Sequence, residues 1–529
     1  MRTSLPGNHA TAAMTARNPR NRAKIQDRAG RAAVRPQMRA AEAVDQTFLD
    51  YLKLTLTDGG TFDLLGVSYL QQLNDWLYWG GGLAAPLVEG NYGGFFAAYA
   101  ALHAQKSVVG NWFVDAGLAV GAGAGGASVG NIQELSGSGA YLREYLGVGY
   151  QSGKLNFGVN YAKVGISNSL IDDSAISVFV QKPLSFTVGR YADAGRRLGL
   201  NDGYDRKTEN MISFQYSNLS QIDPQGKYGG DIGLVSAQFS HFFNDDNYLF
   251  FSLDLGLSGL IWYNQAQGGI GRRFPLSSHI NLYGQLGVGS GGWVTDTIDT
   301  GPGLIVYPMI RAEYLWSNGI GAYLAGGYLF APEGSSRNWT VGAGLNYHLA
   351  AGTRGVSDDD MTHELTLRGV RVNLFGRKEY DIYYNGETVS GLDMAALQLD
   401  YAFNDHWYVP FQVAVATNDF RGYAGYVEGL VGLGWQSHIF GKDRLQAFAQ
   451  VMYGMNDVGI DAEHDVGALV NGAIGINFKL NDQYAIYGQV GKTISLGQYL
   501  KPNFDNAFES TSLGLGLTYR FSLPTRVSR

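Results

Sequence analysis

From about residue 48 onward, apolar residues alternate with small or polar ones over runs of roughly ten positions, and turn residues separate the runs. The run ending at Leu523 is the clearest. Leu513, Leu515, Leu517, Tyr519, Phe521 and Leu523 fall on one side, and Ser512, Gly514, Gly516, Thr518, Arg520 and Ser522 on the other. A strand so patterned offers one face to hydrocarbon and the other to water or a packed polar interior. The same alternation sets Ile280, Leu282, Leu286 and Val288 against Asn281, Tyr283 and Gln285, and Val470, Ile474, Ile476 and Phe478 against Asn471, Asn477 and Lys479. The lumen-facing candidates are therefore Tyr283, Gln285, Gln446, Gln450, Asn471, Asn477, Lys479 and Arg520.

The pattern repeats. Asn74-Asp75, Asn244-Asp245 and Asn404-Asp405 each close one apolar strand and open the next, 170 and 160 residues apart. Ser152-Gly153, Asn318-Gly319 and Asn481-Asp482 mark a second turn at spacings of 166 and 164. Two markers agreeing on one period indicate three copies of an eight-strand unit. The expected organisation is a basic, disordered arm over 1–47, repeat 1 over 48–190, a linker with repeat 2 over 191–350, and a linker with repeat 3 over 351–529.

Within each repeat the connections at one end are short, while those at the other end are longer and more polar, as in VGNIQELSGSG and LGQYLKPNFDNAFE. Short turns at one rim and long loops at the other, aromatic residues such as Trp76, Tyr78, Trp407 and Tyr408 beside turns, and the terminal strand GLTYRFSL together resemble a Gram-negative outer-membrane β-barrel protein. The likeness spans residues 48 to 523 and is to a class, not to one family. It implies an all-β fold, a transmembrane antiparallel barrel of about 24 strands. It also implies a lipid bilayer with lipopolysaccharide as surroundings and a bacterial outer-membrane location, an organelle outer membrane being the alternative. Unlike proteins that end at the aromatic of the last strand, this chain continues from Pro524 to Arg529 past Phe521.

Twenty-four strands give either one wide barrel or three narrow ones. An eight-stranded barrel must fill its centre with side chains. Inward glycines such as Gly117, Gly121, Gly123, Gly514 and Gly516 leave voids there. That consideration favours a single large barrel, although the long connections 189–210 and 350–364 are what linkers between closed units would look like.

Composition sharpens the picture. The chain has 529 residues with 74 Gly, 33 Tyr and 26 Phe, and only 16% of it is charged, against roughly a quarter in ordinary globular domains. No stretch approaches the ~18 apolar residues of a spanning helix. Cysteine is absent, which excludes disulfides, thiolate metal sites and cysteine nucleophiles. The net charge is −7, yet residues 1–40 carry nine basic residues against Asp27, so nucleic-acid binding is a poor reading of the body. The arm holds no apolar core of secretory length; a signal lying upstream of this numbering, a start codon read too early or too late, an Arg- and Ala-rich transit segment or a basic tail are the readings it leaves.

No catalytic constellation emerges, and no cofactor is expected. The nine histidines are scattered, with His406 and His438 beside short turns. GAGAGGASVG (121–130) lacks the Lys-Ser/Thr ending of a phosphate cradle. Asp457, Asp461, Glu463 and Asp465, with His464, form a weak calcium candidate whose spacing is not an EF-hand. Trp76, Trp79, Trp112, Trp262, Trp407 and Trp435 are expected in interfacial girdles. The functional expectation is a channel for solutes or an exported polymer. The alternatives are a structural or anchoring protein of plugged barrels, meeting other envelope proteins through its arm or loops, and an outer-leaflet lipid hydrolase.

Overall fold

The computed structural model describes residues 38–39; 45–184 apart from 127–134, 138 and 154; 188–198; 209–349 apart from 261–262, 293–296 and 317–318; and 365–526 apart from 385–386, 390, 419–425, 440–443, 458–465 and 497–507. Barrel 1 consists of β1 (Asp45–Thr55), β2 (Thr61–Gln72), β3 (Leu77–Ala85), β4 (Phe96–Val109), β5 (Trp112–Ala124), β6 (Ala140–Ser152), β7 (Leu155–Ile166) and β8 (Asp172–Leu184). Barrel 2 consists of β9 (Asn210–Gln221), β10 (Ile232–Phe242), β11 (Asn247–Ser258), β12 (Asn264–Pro275), β13 (Ile280–Gly292), β14 (Leu304–Leu315), β15 (Ile320–Phe330) and β16 (Arg337–Leu349). Barrel 3 consists of β17 (Leu365–Tyr384), β18 (Leu392–Ala402), β19 (Trp407–Ala416), β20 (Val427–Gln436), β21 (Leu445–Asp457), β22 (Val466–Lys479), β23 (Tyr484–Ser495) and β24 (Phe508–Arg526).

Each run is antiparallel to its neighbours, and each closes on itself: β8 on β1, β16 on β9 and β24 on β17. The single 24-strand barrel favoured on the sequence is not the pairing observed. Closure removes the open edges that a spanning sheet cannot leave in hydrocarbon, and here it is achieved three times. The first strand of barrel 1 starts at Asp45, inside the segment read as an arm, and β24 continues through Pro524 to Arg526 along Leu365–Leu367.

The four Asn-Asp marker turns share one mechanism. The Asn74 side-chain carbonyl accepts from the amides of Trp76 and Leu77, both at 3.0 Å. Asn244, Asn404 and Asn481 do the same for the residues two and three positions on. The Asx geometry reverses the chain without glycine. Gly153 and Gly319 reach the same end by φ values of +61° and +82°, while Asn318 lies outside the described residues.

The glycines expected to leave voids do not: a Cβ would meet the Tyr145 ring at Gly117, Ile166 and Phe95 at Gly123, Gln489 and Phe375 at Gly514, and neighbouring backbone at Gly121 and Gly516. Inward glycines face aromatic rings on the neighbouring strand: Gly149 faces Phe113, Gly158 faces Phe179, Gly271 faces Tyr248, Gly344 faces Tyr323, Gly434 faces Tyr408 and Gly475 faces Phe448. A Cβ at any of the six would run into that ring. The ring lies across the glycine and fills the space its missing side chain vacates, the pairing that stabilises glycine in strands. Gly271→Ala is therefore expected to destabilise barrel 2 by about 1–3 kcal/mol, the range for overpacking a filled interior. Urea titration of the parent and the variant in detergent measures it; no change would mean that the Tyr248 ring moves aside freely.

The barrels touch one another. Gly93 of barrel 1 donates its amide to the Gly301 carbonyl of barrel 2 at 2.9 Å, joining their long-loop rims. Tyr484 of barrel 3 donates its hydroxyl to Gln71 of barrel 1 at 3.4 Å and packs on Trp79. Strands β16 and β24 bring barrels 2 and 3 together.

Candidate functional site

Outward and inward residues divide by chemistry. Ile310 on β14 is 61% exposed while its neighbour Arg311 is buried, and Leu515 on β24 is 67% exposed on a strand whose Ser512 and Thr518 are buried. Apolar side chains cover the outside, with Trp76, Trp112, Trp407 and Trp435 exposed beside the short turns. Trp79 departs from the girdle by packing on Tyr484, and Trp262 lies outside the described residues. Tyr78 and Tyr408, although beside turns, point inward and are buried, as is Tyr248, which lies at the same distance from its own Asn-Asp turn. An apolar exterior, a polar interior, short turns at one rim and longer connections at the other make this a membrane-spanning β-barrel protein of the outer-membrane type.

Charge pairs cross each interior. In barrel 1, Arg143 on β6 reaches Asp50 on β1 at 2.6 Å. In barrel 2, Arg311 on β14 meets Gln238 on β10 and Ser213 on β9. Closer to the short-turn rim, Glu209 pairs with Arg273 at 2.8 Å and His348 at 2.5 Å. His348 Nε2 lies 2.9 Å from Glu313, which also accepts from Tyr283 and Asn346, both at 2.7 Å. In barrel 3, Arg371 pairs with Asp400 on the adjacent strand at 3.0 Å and donates to Gln436 on β20 at 2.7 Å. Towards the other rim, Arg377 bridges Glu379 on its own strand and Glu428 on β20. Contacts such as Arg143–Asp50, Arg311–Gln238, Arg371–Gln436 and Arg377–Glu428 join strands separated around the barrel, so these side chains span the lumen and fill it.

The sequence-derived candidates occupy two separate interiors. Tyr283 and Gln285 are buried in barrel 2, where Gln285 accepts from Tyr248 at 3.2 Å. The others belong to barrel 3. Gln450 exchanges hydrogen bonds with Gln398 at 3.0 and 3.1 Å, Asn471 donates to Thr493 at 2.9 Å, and Asn477 accepts from Thr518 at 3.1 Å. Lys479 and Arg520 sit at the short-turn mouth, Lys479 paired with Asp482 at 2.8 Å. Arg520 donates to the Asn481 carbonyl at 2.6 Å. Of the calcium candidates, Asp457 ends β21, and Asp461, Glu463 and Asp465 lie outside the described residues. The lumen charges Asp50, Arg143, Arg311, Arg371 and Arg377 are not among the sequence-derived candidates. One signal was available: Arg143 and Arg311 both lie on the sixth strand of their barrels, one repeat period apart.

The short-turn mouth of barrel 3 is covered by the connection from barrel 1. Gly189 pairs with Ser522, the Gly195 amide donates to the Leu367 carbonyl at 2.7 Å, and Arg197 pairs with Thr366. Tyr191 lies under the Arg520 guanidinium, 5.3 Å from ring to Cζ. Arg190 pairs with Asp482. The hydrogen bond from Lys479, and then that from Arg190, hold the Asp482 carboxyl below its ordinary 3.8. A depressed carboxyl adds stability above its ordinary value, and that stability is lost as pH falls through the lowered one. Acidification from about pH 5 to about pH 3 should therefore speed proteolytic cutting within 188–198, and Asp482→Asn should remove that acid-dependent part. Cutting rates that are the same in both chains at both pH values would show that the ion pair does not hold the segment.

No protein-family model matches the chain, and no curated protein matches it. Among solved structures it is similar to the outer-membrane protein OpdK from Pseudomonas aeruginosa, at 10% identity over 91% of this chain and 98% of that one, with a TM-score of 0.22. OpdQ from Pseudomonas aeruginosa matches at 10% identity over 91% and 97%, with a TM-score of 0.20. The siderophore receptor PirA from Pseudomonas aeruginosa matches at 8% identity over 90% and 80%, with a TM-score of 0.25. The architecture stands on strand pairing and on the division between apolar and polar faces.

Proposed function

We propose that this chain is a structural or anchoring protein of the bacterial outer membrane, three closed barrels joined into one membrane-embedded body. Lipopolysaccharide would surround its long-loop rim, and its partner-binding surfaces would lie on the loops. The observation that carries this reading is the filling of all three interiors by paired charges and rings, as in small eight-stranded barrels whose lumens hold only side chains. The working form is then three narrow barrels, not one 24-stranded sheet. Projection images of single particles in detergent test this: three small rings are expected, and one wide ring would overturn it.

The polar lining favours a second reading, a channel. Gln215, Gln238, Gln267 and Gln285 in barrel 2, and Gln398, Gln412, Gln450 and Gln489 in barrel 3, are buried amides of the kind that line a weakly selective path. Conduction through them requires the crossing ion pairs to part. His103 and His348 give the hydrolase reading no support, because they are buried in the interiors, away from the lipid.

A further inference from the structure

We infer that residues 188–198 form a displaceable strap over the short-turn mouth of barrel 3, covering a cleft that opens to solvent when the strap lifts. The strands β17 and β24 run past the rim as a two-stranded ribbon, pairing from Leu365–Arg526 to Gly369–Ser522 beyond the reach of their in-barrel neighbours. Both outer edges of that ribbon are taken by the strap: Gly189 lies along β24, and Arg197 and Leu198 along β17. Between these contacts the chain crosses the mouth through a single 3₁₀ turn at Tyr191–Asp193. Gly195, at φ +84°, then turns the strap down to Leu367.

The other two mouths are shut by their own residues. Phe48, Tyr78, Phe113 and Phe179 pack together in barrel 1. Phe242, Tyr248 and Tyr283 do so in barrel 2, with Arg273 over the Phe242 ring and paired to Glu209. Barrel 3 has matching rings of its own, Tyr408 with Arg371 over it and Phe448 stacked on Tyr487, and the strap lies beyond them as a second cover. Beneath the strap lies a cleft of about 170 Å³ lined by Tyr191, Gly369, Asp405, Gln436, His438 and Gln446. Gln446 is buried; its amide donates to the Ser437 carbonyl at 3.1 Å, and its Oε1 has no partner. A carbonyl oxygen buried without a donor is what a cleft visited by water or a polar guest would leave.

The fastenings suit a part that moves. Arg190 and Asp482 are 44% and 36% exposed, so their attraction is screened. What remains is a handful of backbone contacts at the ribbon, the pairing of Val188 and Gly189 with Arg39 and Met38, and the Ser522 hydroxyl on the Arg190 carbonyl at 2.9 Å. Elements held by few buried contacts open locally without unfolding the barrel. Lifting of the strap requires only that the short-turn rim face water; it is open to barrel 3 whether or not that barrel conducts.

The chain has no cysteine, so Gln446→Cys in the full-length protein gives a single reporter thiol. With the protein in detergent, a small water-soluble maleimide should label that thiol slowly, and roughly fivefold faster or more when Arg190→Ala and Tyr191→Ala are added. Locking the strap through an oxidised Gly189→Cys/Ser522→Cys pair, whose positions face each other across the strands, should slow labelling below the parent rate. Should the strap variants misfold, amide exchange in the unmodified chain decides. The amides of Gly195 and Leu367 should exchange well before those of β18. Equal labelling rates in all three chains, or exchange of those two amides only together with β18, would overturn the inference.

Discussion

Arg377→Met should cost barrel 3 about 3–5 kcal/mol, the range for removing one partner of a buried ion pair. The side chain is fully buried on β17 between two carboxylates, with Glu379 at 2.7 Å on its own strand and Glu428 across the lumen on β20. Tyr426 and Ser510 each donate one hydrogen bond to those glutamates, at 2.7 and 2.6 Å. Hydroxyl donors soften the carboxylates' isolation without neutralising it. Combining Arg377→Met with Glu379→Leu and Glu428→Leu should recover most of the loss, because apolar residues of similar volume replace a buried triad at little net cost. Denaturant titration of the parent, single and triple variants measures both values. A single variant as stable as the parent would mean that water or an ion already compensates the glutamates.

Planar-bilayer recordings should show no stepwise conductance from the reconstituted chain. The barrel 3 lumen, for one, is crossed at more than one depth by side chains that hydrogen-bond from strand to strand, as Arg371 and Arg377 do. An ion entering would have to displace pairs buried away from water, and breaking a buried pair is expensive. Removing the strap alone should leave the membrane silent, because the Arg371, Asp400 and Gln436 layer lies inside it. Large, regular steps from the unmodified protein would sink the anchoring reading and establish the channel. Steps that appear only in Arg377→Met would place the barrier at that residue.

The alternation along Thr511–Leu523 reads directly as an outside and an inside because the pleat turns every second residue to the same face. The Asn-Asp markers are equally legible, since each turn is made by its own side chain. What the chain does not show locally is which strand pairs with which. A β8 that closes on β1 and a β8 that continues into β9 carry the same alternation. The deciding evidence lies across strands: Gly271 reads as a void until Tyr248, 23 residues earlier, is placed beside it. Tyr78 and Tyr408 read as interfacial from their position beside turns, although one residue of parity sends them inward and leaves Trp407 outside. The residues at the barrel 3 mouth are hidden in a different way, because the chain that covers them belongs to the connection after barrel 1 and resembles an ordinary linker.

Self-closure of each repeat bears on how such a molecule can have arisen. A sheet that gained eight strands by copying would pass through forms with raw edges in the bilayer unless every increment happened to seal. Here the repeating unit carries both halves of its own seam, so one, two or three such units in a row would each leave no raw edge in the membrane.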